Sequence, residues 1–206
     1  MKFTRNQREL QTGRKKPVRV IGITGGIAGG KTVATTALRN VGYTVIDADE
    51  ISHELFGANT DGEQTLMLAF PQAVKDGRLD RTSLRRIISS DVDARQKLNE
   101  LTHPKIVERI KNIISNTKSP AILSAPLLFE TALSSLCDIT VCVYCPRGIR
   151  VQRLIARDGI TEDDATRLID AQIPDTVRCT IADFIVPSDR DGFTEEILEL
   201  IENIVR

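Results

Sequence analysis

Two rhythms of apolar and polar positions run along the chain. Residues 18–24, 43–47, 121–125, 138–145 and 183–186 are short runs rich in Val, Ile and other apolar residues, and they read as buried strands. Between them apolar positions recur every three or four residues, the spacing of helices. The pattern predicts a helix over 31–40 closing at Gly42, a largely helical stretch from Ala48 to Thr117, a helix from Pro146 to Gly159 and another over Thr161 to Gln172. Asp80, Asp91 and Thr102 look like helix-start residues. Strands alternating with helices require right-handed crossovers, so the expected fold class is α/β, a five-stranded parallel sheet flanked by helices. No internal repeat or low-complexity segment interrupts it.

The first strand run leads into Gly25-Gly26-Ile27-Ala28-Gly29-Gly30-Lys31-Thr32, which satisfies G-x-x-x-x-G-K-[ST]. Strand, glycine loop and helix fall in the order a triphosphate cradle requires. Such a loop turns successive backbone N–H groups toward phosphate at the positive end of a helix. Lys31 reaches the β- and γ-oxygens, and the Thr32 hydroxyl ligates Mg²⁺. The dinucleotide fingerprint G-x-G-x-x-G is the nearest rival, and Asp47 stands about where its acidic partner belongs. Its glycines do not fit, because Ile27 stands two after Gly25 and Thr24 two after Gly22. A regulatory GTPase should carry Asn/Thr-Lys-x-Asp, and the closest string, Thr117-Lys118-Ser119-Pro120, lacks the Asp. Phosphate transfer or hydrolysis is the better reading.

Phosphoryl transfer to an alcohol needs a carboxylate to orient the hydroxyl and take its proton. Asp47-Ala48-Asp49 ends the second strand run, and ligands of open parallel sheets bind beyond the carboxyl ends of strands, so these acids are expected beside the loop. The competing reading is a helix cap at Asp49 with Asp47 solvated, and capping and catalysis are compatible. Farther on, Arg150, Arg153 and Arg157 are spaced to share a helix face, with Arg178 beyond. They could close over a triphosphate, or Arg153 and Arg157 could form a solvated salt-bridged face with Asp158 and Glu162.

Composition narrows the partners. The 206 residues balance 28 basic against 28 acidic side chains and hold no Trp, so neither a nucleic-acid stripe nor a stacking platform is indicated. The seven basic residues of 1–19 face Glu9 alone, a local net charge of +6. With no long apolar stretch, the choice there is between an organelle transit sequence and a mobile tail, and the tail is preferred. Cys142-x-x-Cys145 has a zinc-like spacing, but thiols three apart on a strand diverge, and only His53 and His103 could assist. The four cysteines, Cys137, Cys142, Cys145 and Cys179, read as reduced core residues of a cytoplasmic protein.

Thr24 to Thr32, Asp47-Ala48-Asp49, Leu101-Thr102-His103-Pro104, Pro126-Leu127-Leu128-Phe129-Glu130, Arg153 with Arg157-Asp158, Ala171-Gln172 and Ala182-Asp183 follow one another in the order seen in dephospho-coenzyme A kinases. The chain resembles that family from about Val20 to Ile185. The resemblance implies the P-loop nucleoside-triphosphate hydrolase fold and ATP-dependent phosphorylation of the ribose 3′-hydroxyl of dephospho-coenzyme A, giving coenzyme A and ADP. The alternative is a P-loop kinase for another small alcohol or nucleotide. Beyond the basic tail over 1–17, which is longer than a compact relative needs, the resemblance also implies a core of 18–50, 118–149 and 179–206, a helical substrate domain over 51–117 and a lid over 150–178.

By that likeness Asp49 would be the base, Lys31 and Arg153 would act on the transferring phosphoryl group, and Ala28, Gly29, Gly30, Lys31, Thr32, Val33 and Arg157 would hold the nucleotide. Asp47, His103, Leu127 and Glu130 would shape the acceptor side, with Thr32 the metal ligand. Taken as bare residues, His103 could be a cap-region residue, and Leu127, Leu128 and Phe129 could simply pack. The sequence departs from its relatives at Gly29, where Ser is usual, at Val33 and Ser124, and at Ile185-Val186-Pro187-Ser188, so the adenine contact is not carried over. ATP, Mg²⁺ and dephospho-coenzyme A are the expected partners, with no membrane or nucleic acid and a monomer or weak homo-oligomer.

Overall fold

The computed structural model describes residues 4–5 and 19–206. Val18 of the first strand run and most of the basic tail lie outside the described residues. The chain divides into two compact units, one of residues 1–46 and 117–206, the other Asp47–Asn116.

The first unit is built on β2 (Val20–Thr24), β3 (Thr44–Asp47), β6 (Ala121–Ser124), β7 (Ile139–Tyr144) and β8 (Phe184–Pro187). These are the five expected strands, and they form a parallel sheet in the order β3-β6-β2-β7-β8. The pattern did not predict β1 (Thr4–Arg5), inside the basic tail, which pairs antiparallel with β8 and makes a sixth strand. Two residues carry no readable period, so this strand exists only through its partner.

β2 is central and wholly buried, which is why its sequence lacks alternation. Ile21 and Ile23 point to one face of the sheet. There they pack with Val141 and Val143, with Ala34 and Leu38 of α1 (Lys31–Asn40), and with Ile197, Leu200 and Ile201 of α9 (Phe193–Val205). On the other face, a Cβ on Gly22 would lie 2.7 Å from Cys137 Sγ and 2.8 Å from Leu128 Cδ2, so packing excludes a side chain there. α1 stops where expected, with Gly42 at φ 95° just past its end. α6 (Arg147–Asp158), α7 (Glu162–Asp170) and α8 (Asp175–Ile181) follow β7, and Gly159 at φ 66° ends α6.

The second unit holds α2 (Ala48–Phe56), α3 (Asp61–Ala69), α4 (Arg81–Ser90) and α5 (Val92–Asn116) around Ile51, Phe56, Leu66, Phe70, Leu84, Ile106 and Ile110. A hairpin of β4 (Val74–Lys75) and β5 (Arg78–Leu79), turning through Asp76 and Gly77 at φ 51° and 75°, interrupts the helical stretch. Asp80 caps α4 as expected, accepting from the Thr82 amide. Asp91 Oδ1 accepts from the Ala94 amide and so caps the start of α5.

Thr102 is not a helix start. It sits inside the 25 residues of α5, where its hydroxyl donates to the Leu98 carbonyl. Proline in a helix interior costs about 3 kcal/mol. The buried stripe Thr102, Ile106, Ile110 nevertheless continues past exposed Pro104, and burial of the two isoleucines contributes about 1.5–3 kcal/mol each, enough to carry the helix through. No helix among the described residues is long and apolar enough to cross a membrane.

Candidate functional site

The glycine loop leaves the carboxyl end of central β2 and runs into α1, with Lys31 and Thr32 in the first turn. Ala28 at φ 57° and Gly30 at φ 98° curl the backbone, and the Gly29 amide donates to the Gly26 carbonyl at 2.8 Å. The exposed Thr32 side chain is open to a ligand, whereas Lys31 is half-buried and its Nζ donates to Ser124 Oγ at 2.7 Å. Ser124 therefore marks the end of β6 next to the lysine. Buried Thr24 donates its hydroxyl to the Pro126 carbonyl at 3.2 Å, tying the root of the loop to the segment after β6.

Side chains distant in sequence fix the rest of the loop. Ser188, buried beyond β8, donates its hydroxyl to the Gly29 carbonyl at 2.5 Å. Gln172 Oε1 accepts from the Ile27 amide at 2.8 Å. Arg153 donates to the carbonyls of Ala28 at 3.2 Å and Ser188 at 3.0 Å, so its guanidinium joins the loop to the strand end. Ile27 and Ala28 also pack against Leu154, Ala165 and Ile169 of the α6–α7 hairpin.

The expected arginine face separates by depth. Arg150 is buried and forms an ion pair with Asp175 at 2.5 Å, Arg153 is half-buried, and Arg157 lies exposed beside Asp158 at 2.7 Å. The Asp158 hydrogen bond raises the Arg157 pKa and the reciprocal bond lowers that of Asp158, the local salt bridge that the spacing also allowed. Burial follows the helix: Arg150 precedes Leu154 by one turn, and both face inward.

Among the acids, Asp47 ends β3 and caps α2, its Oδ1 accepting from the amides of Asp49 at 2.9 Å and Glu50 at 3.3 Å. The cap is thus Asp47 rather than Asp49. Asp49 lies exposed in the first turn of α2. His103 is half-buried in α5, and burial lowers its pKa. In the sheet unit, Leu128 is fully buried, while Leu127 and Glu130 are exposed, so Leu127 is not a packing residue.

Cys142 and Cys145 point to different neighbours. Cys142 Sγ lies 3.9 Å from Cys179 Sγ, and hydrogen bonding to Cys179 together with burial raises the Cys142 pKa. Burial pushes Cys137 up to about 12.

The model of the dephospho-CoA kinase family matches residues 19–192. The chain belongs to the dephospho-CoA kinase family. It is 34% identical over 179 residues to a dephospho-CoA kinase of Moorella thermoacetica, covering 84% of each chain. It is 33% identical over 193 residues to one of Carboxydothermus hydrogenoformans, covering 91% of this chain and 93% of that one. The solved structure of a dephospho-CoA kinase from Campylobacter jejuni superposes with a TM-score of 0.66 at 26% identity, over 90% of this chain and 96% of that one. The chain is therefore a kinase, a nucleotide-using phosphotransferase on the P-loop fold.

Within the sheet unit the structure brings together Ala28 to Thr32, Arg153 and Ser124. It adds three groups to which the sequence reading gave no role: Ser188, Gln172 as a loop partner, and Asp175. Asp175 had a faint signal, standing three before Arg178 at a helix start. A serine after a strand carries none.

Proposed function

We propose that this chain carries out the family reaction with the loop and acids described above, transferring the γ-phosphoryl group of ATP to the ribose 3′-hydroxyl of dephospho-coenzyme A. The observation that carries the reading is the loop itself: a G-x-x-x-x-G-K-T turn at the end of the central strand, with Lys31 and Thr32 opening α1. The loop from Ala28 to Val33 holds the polyphosphate through its amides, save that of Gly29, which is bonded to the Gly26 carbonyl, and the Lys31 ammonium neutralises charge on the transferring group. Arg153 turns part of its donor fork to the same charge, since its two bonds to backbone carbonyls leave further N–H groups on the guanidinium. Arg157 joins the nucleotide site by exchanging Asp158 for phosphate.

Asp49 orients the acceptor hydroxyl and takes its proton, because Asp47 already accepts two amides as a helix cap. Asp47 and His103 of the helical unit, and Leu127 and Glu130 of the sheet unit, are the residues we assign to recognition of dephospho-coenzyme A.

The donor set suits magnesium. Among the described residues no group of three or more His, Cys, Asp or Glu is placed to hold a metal, and Mg²⁺ prefers one or two protein oxygens completed by phosphate and water. The exposed Thr32 hydroxyl is such an oxygen. When bound, the ion neutralises phosphate charge.

Assay of ADP release over a panel of acceptors tests the reading. Magnesium-dependent turnover with dephospho-coenzyme A, far above that with other nucleosides and small alcohols, is expected. No turnover with it, alongside turnover of another acceptor, overturns the substrate assignment.

A further inference from the structure

We propose that Arg150, Asp175 and Arg178 form a buried positioning element that sets the phosphate loop at Gly26, and that nucleotide affinity depends on it. The inference rests on the reading that this loop holds the triphosphate. Arg150 and Arg178 are 2% and 1% exposed, and Asp175 bridges them at 2.5 and 2.7 Å. One carboxylate between two guanidinium groups leaves a net positive charge, and the Nε of both arginines has no hydrogen-bond partner among the described residues.

As a device for stability the arrangement is poor. Burying such ions is costly, and apolar replacements of similar volume are often as stable or more so. What it provides is placement. A Cβ on Gly26 would lie 1.8 Å from Arg150 Nη1, 2.9 Å from its Cζ and 3.2 Å from Arg178 Nη1, so both guanidinium groups rest against this one α-carbon. Gly26 has no positive φ, and its backbone accepts alanine, so the glycine is required by the arginines rather than by the turn. Gly25 differs: its Cβ would lie 2.6 Å from the Val143 carbonyl oxygen, a backbone atom.

A second contact fixes the same stretch. Gln172, three residues before Asp175, accepts from the Ile27 amide, and Arg178 donates to the Ile173 carbonyl at 3.3 Å. The segment from Gln172 to Arg178 thus holds the loop at two successive residues. None of these side chains needs to touch phosphate to act.

The test is a double-mutant cycle read as the Kd of Mg²⁺·ATP by calorimetry, with steady-state KM for both substrates. Gly26→Ala should weaken ATP binding at least about tenfold while leaving the KM for dephospho-coenzyme A unchanged. Arg150→Met ends short of Cζ and removes the clash, at a cost of several-fold in ATP affinity. The double variant should bind ATP about as well as Arg150→Met alone. Gly25→Ala serves as the control and should gain nothing from Arg150→Met.

Penalties that multiply in the double variant, or equal rescue of Gly25→Ala, overturn the proposal. Melting curves establish that each variant folds, and Arg150→Gln replaces Arg150→Met if the latter does not. Failure of the wild-type chain to bind Mg²⁺·ATP would instead overturn the loop assignment itself, a separate result.

Discussion

The phosphate loop is held by four side chains from three separate places in the sequence: Ser188, Gln172, and Arg153 with Arg150 on α6. The acidic turn carries a local cap, in which Asp47 accepts the amides of residues two and three positions on. A loop whose carbonyls and amides are occupied by distant groups keeps its shape only while the whole sheet unit is folded. A capped helix start is local and keeps its shape while α2 exists. Substitutions in the two regions should therefore fail differently, the first spreading to nucleotide affinity from remote positions, the second staying with the chemistry of one carboxylate.

The largest effects should fall on charge at the loop. Lys31→Ala and Arg153→Ala should each lower turnover by about 10²–10³-fold, with circular dichroism unchanged; a variant near wild-type activity would remove that residue from the mechanism. Asp49→Asn should cost about 10²–10⁴-fold in turnover and leave ATP affinity within about twofold, whereas Asp47→Ala should mainly lower the melting temperature, through loss of a cap worth about 1 kcal/mol. If Asp47→Ala instead abolishes turnover and Asp49→Asn does not, the two acids exchange roles.

Ser188→Ala should raise the ATP KM by about tenfold, since the Gly29 carbonyl loses a buried donor worth roughly 1–3 kcal/mol. Measured together with Asp49→Asn, it sharpens the contrast: one should move nucleotide affinity alone, the other turnover alone.

The smallest effect concerns His103. Burial lowers its folded-state pKa below the ordinary 6.5, so as the pH falls the unfolded chain takes up a proton before the folded one does. Its contribution should be absent above about pH 7 and become destabilising as pH falls below 6.5. His103→Gln should flatten the acid side of the melting-temperature profile by a degree or two, and an unchanged profile would locate the acid sensitivity elsewhere.

What could be read from the sequence follows the same division. The five parallel strands, the loop and α1 were legible because apolar runs and glycine spacing are local signals. The turn Asp76-Gly77 was missed because two-residue strands carry no period. Thr102 was misread because tertiary burial of Ile106 and Ile110 overrides the breaking tendency of Pro104. The depth order of Arg150, Arg153 and Arg157 was hidden, since spacing gives a shared face but not which end of it meets the core. Ser188 and Asp175 gain their meaning only when the strands close and bring chain segments more than a hundred residues apart onto the loop.

The short antiparallel pairing of Thr4 and Arg5 with Ile185 and Phe184 has a bearing on handling the protein. The outer rim of β8 would otherwise offer open amides and carbonyls along an apolar strand, a template for another molecule's chain. Material shortened past residue 5 loses that cover, and sticking between copies along this rim, visible as concentration-dependent light scattering, is the consequence to watch for.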